Sequence, residues 1–501
     1  MGNHMTRKGS AKKKAGATTG GVLQVTTKTM SRSPSGTDIQ NGSHTQFLPI
    51  DNLAKILAGI SLREESVHGI TASVIKKYLF PHHPELAERL FIYFHWSAKA
   101  STPHLGTTAF RQQAEKFLSV MNDDSVLESY VKIYSNLKEE GDVTPQTLKS
   151  LLMVSYTLAM GNDNIVTLLS AERTFNAVLI SCFHGKESLS VSFVSNWLWQ
   201  NCPRIIQGLH RYVVHVLTTA YRFGNSLLCK EESQPQLEPA TPVLEQPPDA
   251  LDYSQPFLPI SYVWLLSTSL PSIYTQLASS DAEPHQSEDS RSEGMQALID
   301  KMSGNICPRH WTLLYNSDQH GTGVNRFLHH VLGYKGPTLI FIRAVSSDGE
   351  KENCPTYCIC STLEWRESHL YWGDEDSMVI ELLPSYRVIE KGPKLLYLNT
   401  GIRGYPQGLR AGKDPREPSI IVDQAFNSVT FERVPYRISS LEVWGCGDTK
   451  SREKQLEIKK WQVKEAEKQR VVKLSATEWL DHPDRYLLEL GGRQTYNNSS
   501  S

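Results

Sequence analysis

No Asp or Glu precedes Asp38, and no stretch of the chain supplies the ~20 predominantly apolar residues that a spanning helix needs. The most apolar run, Phe257 to Ala278, is broken by Pro259 and Pro271 and dotted with Ser and Thr, so it reads as a buried helix. The polar N-terminus lacks the apolar segment of a secretory signal. Cysteine is sparse: eight in 501 residues, with no repeated spacing. That excludes a disulfide framework and points to a reduced, cytosolic compartment. Nucleotide-binding loops are missing too. Gly321-Thr322-Gly323 lacks a third glycine at the required spacing, and no Gly-Lys-Ser/Thr motif occurs. Neither a Gly-x-Ser-x-Gly elbow nor a His-Glu-x-x-His helix is present. Net charge is close to nil, −1 from 52 Lys+Arg against 53 Asp+Glu, so no nucleic-acid partner is expected of the whole molecule. Hydrophobic residues make up 39%, below the ~45–50% usual for a globular domain. Part of the chain is therefore expected to lie outside a packed core.

What the chain does contain is segregated. It opens Met1-Gly2-Asn3-His4-Met5-Thr6, which fits the myristoylation pattern M-G-x-x-x-[ST]. Loss of Met1 would expose the amine of Gly2, where only glycine leaves acyl transfer unobstructed. Arg7, Lys8, Lys12, Lys13 and Lys14 follow at once. One acyl chain binds a bilayer marginally, and a basic cluster on an anionic leaflet adds ~1 kcal/mol per charge. Together they predict a stable anchor on an anionic membrane.

Five segments follow from composition and periodicity. Residues 1–46 form a basic, myristoylatable head, disordered by composition, with a Gly/Ser/Thr-rich spacer. Residues 47–230 read as an all-helical domain: Phe110, Phe117, Leu118, Met121, Leu127, Tyr130, Val131 and Tyr134 recur at spacings of three and four. Asp123 and Thr144 stand at N-cap positions, with Pro145 opening the second helix. Residues 231–305 are an acidic, Pro/Ser-rich linker with short helices; twelve acidic residues against Arg291 alone give positions 231–300 a charge of −11. Residues 306–447 carry short β-rich runs (Thr338–Ile342, Thr356–Cys360, Lys394–Leu398, Ser419–Val422, Ser440–Trp444) between turn residues, an α+β module in which antiparallel sheets pack on each other. Residues 448–501 comprise a charged helix and a docked terminal helix. Nine Lys/Arg against four Asp/Glu lie between Lys450 and Lys473, with no single apolar stripe, so this helix bridges domains or awaits a partner. Ser475-Ala476-Thr477-Glu478 is a capping box for the terminal helix.

Candidate sites are few. The turns Asn122-Asp123-Asp124 and Gly161-Asn162-Asp163-Asn164 suggest EF-hand-like helix–loop–helix geometry but lack the calcium ligand set. Cys358 and Cys360 lie two apart in an expected strand, so they share a face as small core residues rather than paired zinc ligands. Ser317, Asp318 and His320 are adjacent in sequence, whereas a triad is defined by geometry. No metal or cofactor is expected.

Trp311-Thr312-Leu313-Leu314-Tyr315-Asn316-Ser317-Asp318-Gln319-His320-Gly321 resembles the opening of a TLDc domain. So do Gly336-Pro337-Thr338-Leu339-Ile340-Phe341-Ile342, Leu398-Asn399, Gly408-Leu409 and Leu441-Glu442-Val443-Trp444-Gly445. Tyr357-Cys358-Ile359-Cys360 stands where the family often has a Phe-Gly-Ala-Phe-like strand. The whole layout resembles the lysosome-associated, mTOR-binding branch of that family. The resemblance implies a β-sandwich of two packed antiparallel sheets, with flanking helices. It also implies a non-catalytic regulator at the cytosolic side of the lysosomal membrane and in cytoplasm, with the vacuolar proton-pumping ATPase and the mTOR complex as partners. The charged helix, through Trp461, Lys464, Lys468 and Arg470, is the expected contact. The alternative is an oxidative-stress-protective module with weak redox or hydrolase activity through Cys358, Cys360 or Ser317.

Overall fold

In the computed structural model the described residues are 48–136, 142–160, 165–224, 258–276, 307–308, 310–345, 354–470 and 490. The basic head, the turn at 161–164, the capping box at 475–478 and most of the terminal helix lie outside them. Residues 1–46 and 47–501 form two separate units, and all the described helices and strands belong to the second.

The helices of the first half form where the apolar spacing demands. Helix α1 (Leu48–Glu65) is followed by α2 (Ala72–Val74), which runs into a π turn at Ile75–Leu79, and then by α3 (Pro84–Ser97). In α4 (Thr107–Leu118) Phe110, Ala114 and Phe117 face inward, and α5 (Asp123–Tyr134) buries Val126, Leu127, Tyr130, Val131 and Tyr134. Met121 does not join them: it lies between the two helices and is 88% exposed. The cap of α5 is one residue earlier than expected. Asn122 holds the extended N-cap backbone, and Asp123 is the first helical residue. Strand β1 (Asp142–Val143) precedes α6 (Pro145–Met160). Thr144 Oγ1 accepts the Thr147 N–H at 3.3 Å while Thr147 Oγ1 accepts the Thr144 N–H at 3.0 Å, a capping box closed by two threonines. Helix α7 (Ile165–Phe183), β2 (Leu189–Ser190), α8 (Val191–Asn201) and α9 (Gln207–Thr219) complete the series. Two antiparallel bridges join loops between helices, Ile70 to Leu105 and β1 to β2. This gives paired helix–loop–helix units.

Two short helices stand between this bundle and the strands. In α10 (Ile260–Ser269) every residue from Ser261 on is buried, and α11 (Ser272–Thr275) follows. The apolar run expected as a buried helix is therefore one, and it lies within the stretch expected as linker.

Among its described residues the β-rich region has ten strands: β3 (Thr312–Asn316), β4 (Thr338–Val345), β5 (Thr356–Ser361), β6 (Met378–Leu383), β7 (Arg387–Lys391), β8 (Leu396–Asn399), β9 (Gly408–Ala411), β10 (Ile420–Val422), β11 (Ser428–Phe431) and β12 (Val434–Gly445). They form one antiparallel sheet in the order β7-β6-β5-β4-β12-β11-β10-β9-β8, with β3 also paired to β12. The expected two sheets are thus two halves of one. Strand β12 is long enough to pair β11 through Val434–Arg437 and β4 and β3 further along. Ile340, Ile342, Ile359 and Val379 from one half share a buried core with Leu398, Leu409, Val422 and Val429 from the other.

Strand alternation sends the remaining side chains of the first half outward. Phe341, Cys358, Cys360, Ile380 and Tyr386 join the helical core around Trp264, Phe175 and Val178. Polar contacts fix this second interface. Asn201 Oδ1 accepts the Val388 N–H at 2.8 Å, Ala177 O accepts the Tyr386 N–H at 3.0 Å, and Tyr274 donates its hydroxyl to Asp376 O at 2.9 Å. Bundle and sheet are thereby one packed body.

The projecting helix and the sheet end that holds it

Around the first strand, the motif residues hold one another. Asn316 ends β3 and caps α12 (Ser317–His320), its Oδ1 accepting the Asp318 N–H at 2.7 Å. Its Nδ2 donates to Glu442 Oε1 at 2.7 Å, and Trp444 Nε1 donates to Glu442 Oε2 at 2.8 Å. Glu442 is a buried carboxylate satisfied on both oxygens, and burial pushes its pKa up. Ser317 is buried as well, and its Oγ accepts the Leu441 N–H at 2.9 Å. His320 Nδ1 accepts the Asn316 N–H at 3.1 Å. The structure therefore does not join Ser317 and His320 as a nucleophile and base; each braces backbone.

The thiols are equally internal. Cys358 and Cys360 share a face, as their spacing predicts, with sulfurs 3.7 Å apart. Both are fully buried free thiols. Burial, then the hydrogen bond with Cys360, raises the pKa of Cys358 well above that of an ordinary thiol, the reverse of the setting that makes cysteine reactive. Among the described residues no three His, Cys, Asp or Glu side chains group as a metal would require.

The same sheet end launches the last helix. Gly447 N–H donates to Tyr334 Oη at 2.8 Å. Asp448 Oδ1 then accepts the Ser451 N–H at 2.8 Å, ahead of the first turn of α14 (Thr449–Arg470). One turn on, Gln455 is fully buried. Its Nε2 faces the carbonyls of His330, Val331 and Leu332 at 3.0, 3.3 and 3.0 Å, at the C-terminal end of α13 (Val324–Val331), where carbonyls lack partners within the helix; Val331 O also accepts the Tyr334 N–H at 3.4 Å. Replacing Gln455 by Ala is expected to cost about 1–3 kcal/mol, since those acceptors lose a buried donor. Faster amide exchange confined to 449–459 and 324–333 would register it, and unchanged exchange would reject the contact as an anchor.

Beyond this foothold the helix leaves the body. Positions 460–468 are exposed except for the half-buried Glu465. Trp461 is 63% exposed and Val463 54%. At 3.6 residues per turn, Trp461, Lys464 and Lys468 share one face. Lys464 is exposed, and Lys468 pairs with Glu465 at 3.3 Å. Arg470 is the final residue of α14, about half a turn round from Trp461. Gly2, Arg7, Lys8, Lys12, Lys13 and Lys14 lie outside the described residues.

Residues 290–447 match the family model described as TLDc domain. The chain carries a TLDc domain. Comparison with curated proteins returns no match.

A cationic cluster lies where the TLDc domain meets α14, and no spacing along the chain marks it. His320 and His330 stack with ring centroids 4.0 Å apart, and His329 meets His330 edge-on at 5.1 Å. Burial, then His320, Lys459, His329 and Arg452, pushes the pKa of His330 down from 6.5 to about 4. A depressed folded-state value means that neutral His330 favours the docked helix above pH 6.5, a contribution lost as pH falls toward 4. Acidification across that window is expected to loosen α14 at its foothold, seen as amide exchange at 449–459 beyond the intrinsic pH effect. His330→Asn should flatten the dependence; an unaltered profile would discard His330 as its source.

Proposed function

We propose that this protein is a non-catalytic, membrane-anchored regulator or adaptor at the cytosolic face of lysosomes, docking the vacuolar proton-pumping ATPase and acting in mTOR signalling. The observation that carries the reading is the exposed half of α14, which holds Trp461 and Val463 in solvent on a helix rooted in the TLDc domain. An unsupported helical stretch shorter than about 12–15 residues, as the exposed end of α14 is, is marginal in water, and a large aromatic on an unpacked helix is the residue type that dominates interface energies. Gly2 and the basic residues Arg7, Lys8, Lys12, Lys13 and Lys14 supply the anchor, by the myristoyl-plus-polybasic logic. Lys464, Lys468 and Arg470 select an acidic partner surface. The burial of Cys358, Cys360 and Ser317 supports interaction over chemistry.

The test is capture of the ATPase from lysosomal membranes by the full-length protein. Trp461→Ala is expected to weaken capture at least about ten-fold, as interface aromatics do. Lys464→Glu with Lys468→Glu should weaken it further at low salt than at high salt, because exposed charge is screened. Gly2→Ala should leave binding intact and remove the protein from membranes. Unchanged capture by both helix variants would end the docking reading, and a Gly2→Ala protein still on membranes would end the anchor.

A further inference from the structure

Helices α1, α3, α4 and α5 each turn charge toward solvent, through the exposed Lys55, Glu88, Lys116 and Glu128. Helix α8 does not. From Ser188 to Pro203 there is no Asp, Glu, Lys, Arg or His. The helix buries Val194, Ser195, Leu198 and Asn201 against the body. Phe193, Asn196 and Gln200 line the opposite side at three- and four-residue spacings, with Trp199 on one border and the half-buried Trp197 on the other. Phe193 is 45% exposed and Trp199 43%. This outer face therefore offers aromatic rings among neutral hydrogen-bonding groups, with no ionic charge.

That composition selects what covers it. A protein surface recognised through charge finds nothing here to pair with. Trp and Phe beside neutral polar side chains suit the membrane–water interface, where a ring sits among headgroups with its polar edge still wet. The bilayer is also the surface that the chain itself brings near. Forty-five residues separate Gly2 from Leu48, a link that can span at most about 150 Å. A bilayer holding Gly2 thus lies within reach of α8, at the raised effective concentration that a tether creates.

We propose that the outer face of α8 is a second membrane contact, which orients the body on the bilayer that holds Gly2. Phe193, Trp197 and Trp199 enter the headgroup layer, while Ser192, Asn196 and Gln200 hydrogen-bond to uncharged groups there. The inference rests on the anchor reading for the presence of the bilayer, and not on the partner reading, since α8 and the exposed end of α14 share no residue.

Amide exchange on the full-length chain, held by an N-terminal hexahistidine tag on phosphatidylcholine vesicles that contain a nickel-chelating lipid, tests it. The tag stands in for the acyl group, so the outcome holds whether or not Gly2 is acylated. Failure of the anchor shows separately, as an acylated chain that does not sediment with vesicles. Peptides within 190–201 are expected to exchange at least about five-fold more slowly on vesicles than in solution, and those of α4 at an unchanged rate. In the acylated chain, Phe193→Ser with Trp199→Ser should weaken partition onto the same lipid about ten-fold, at low and high salt alike, because the lost contact carries no charge. Phe193→Leu with Trp199→Phe should restore most of it, and circular dichroism confirms the fold of each variant. Four results would each overturn the proposal: exchange at 190–201 unaltered by vesicles, a folded double-serine variant that partitions like wild type, a loss that vanishes at high salt, or protection seen only when membrane proteins are present. The last would assign the face to a protein partner.

Discussion

Replacing Trp264 by alanine is expected to lower the unfolding free energy by about 3–5 kcal/mol, the range for truncating a large buried aromatic. Trp264 is completely buried on α10. Its ring meets Tyr156 of α6 edge-on at 5.2 Å and Phe175 of α7 at 6.1 Å. Truncation would leave a cavity on three sides that rigid helices cannot close. The loss should reach the sheet, because α10 carries Ser269, hydrogen-bonded to Tyr386 beside β7, and leads into Tyr274, which holds Asp376 O. A phenylalanine at the same position is expected to cost far less, about 1.5 kcal/mol or under. Among the described residues the indole N–H has no hydrogen-bond partner to lose. Guanidinium unfolding followed by circular dichroism measures both. An alanine variant that unfolds at the wild-type midpoint would mean that α10 lies outside the cooperative unit.

That helix shows what could be read from the chain beforehand. A run of apolar residues broken by Pro259 and Pro271 has no destination but a core, and it packs in one. Likewise the three-and-four spacing of Phe110, Phe117, Leu127 and Tyr130 fixed an inward face, and Cys358 and Cys360 could only share a side of their strand. Strands β6 and β7 were illegible for opposite reasons. Met378–Leu383 is almost wholly buried and apolar at every position but Glu381, so it has no period to separate strand from helix. Arg387–Lys391 is a half-exposed edge strand rich in charge. The folding of one sheet into two facing halves depends on β12 finding three neighbours, and pairing at such separation leaves no local mark. The basic helix was legible as charged and unpartnered. Its foothold was not, because Gln455 and Lys459 acquire their surroundings from α13, more than a hundred residues earlier.

The foothold also sets the second large effect. Gly445→Ala is expected to cost about 3 kcal/mol, the upper part of the range for overpacking a filled core. A Cβ at Gly445 would stand 2.6 Å from Tyr334 Cζ and 2.7 Å from its hydroxyl. Gly445 cannot shift to make room, since it is paired to Thr338 on one side and Thr312 on the other. The phenol cannot shift freely either. Tyr334 is fully buried, and Gly336 and Gly447 close around the same ring, each allowing a Cβ only 2.9 Å from it. Moving the ring would also release the Gly447 N–H, which leads directly into α14. The variant should therefore lose partner capture along with stability, even at temperatures where the sheet stays folded. A double-mutant cycle separates this clash from a general backbone effect. With Tyr334→Leu in place, the added methyl has no ring to strike, so its cost should fall by roughly half or more, a coupling expected only of residues in contact. Strict additivity of the two changes would mean that the strain lies in the strand itself and not in the glycine slot around Tyr334.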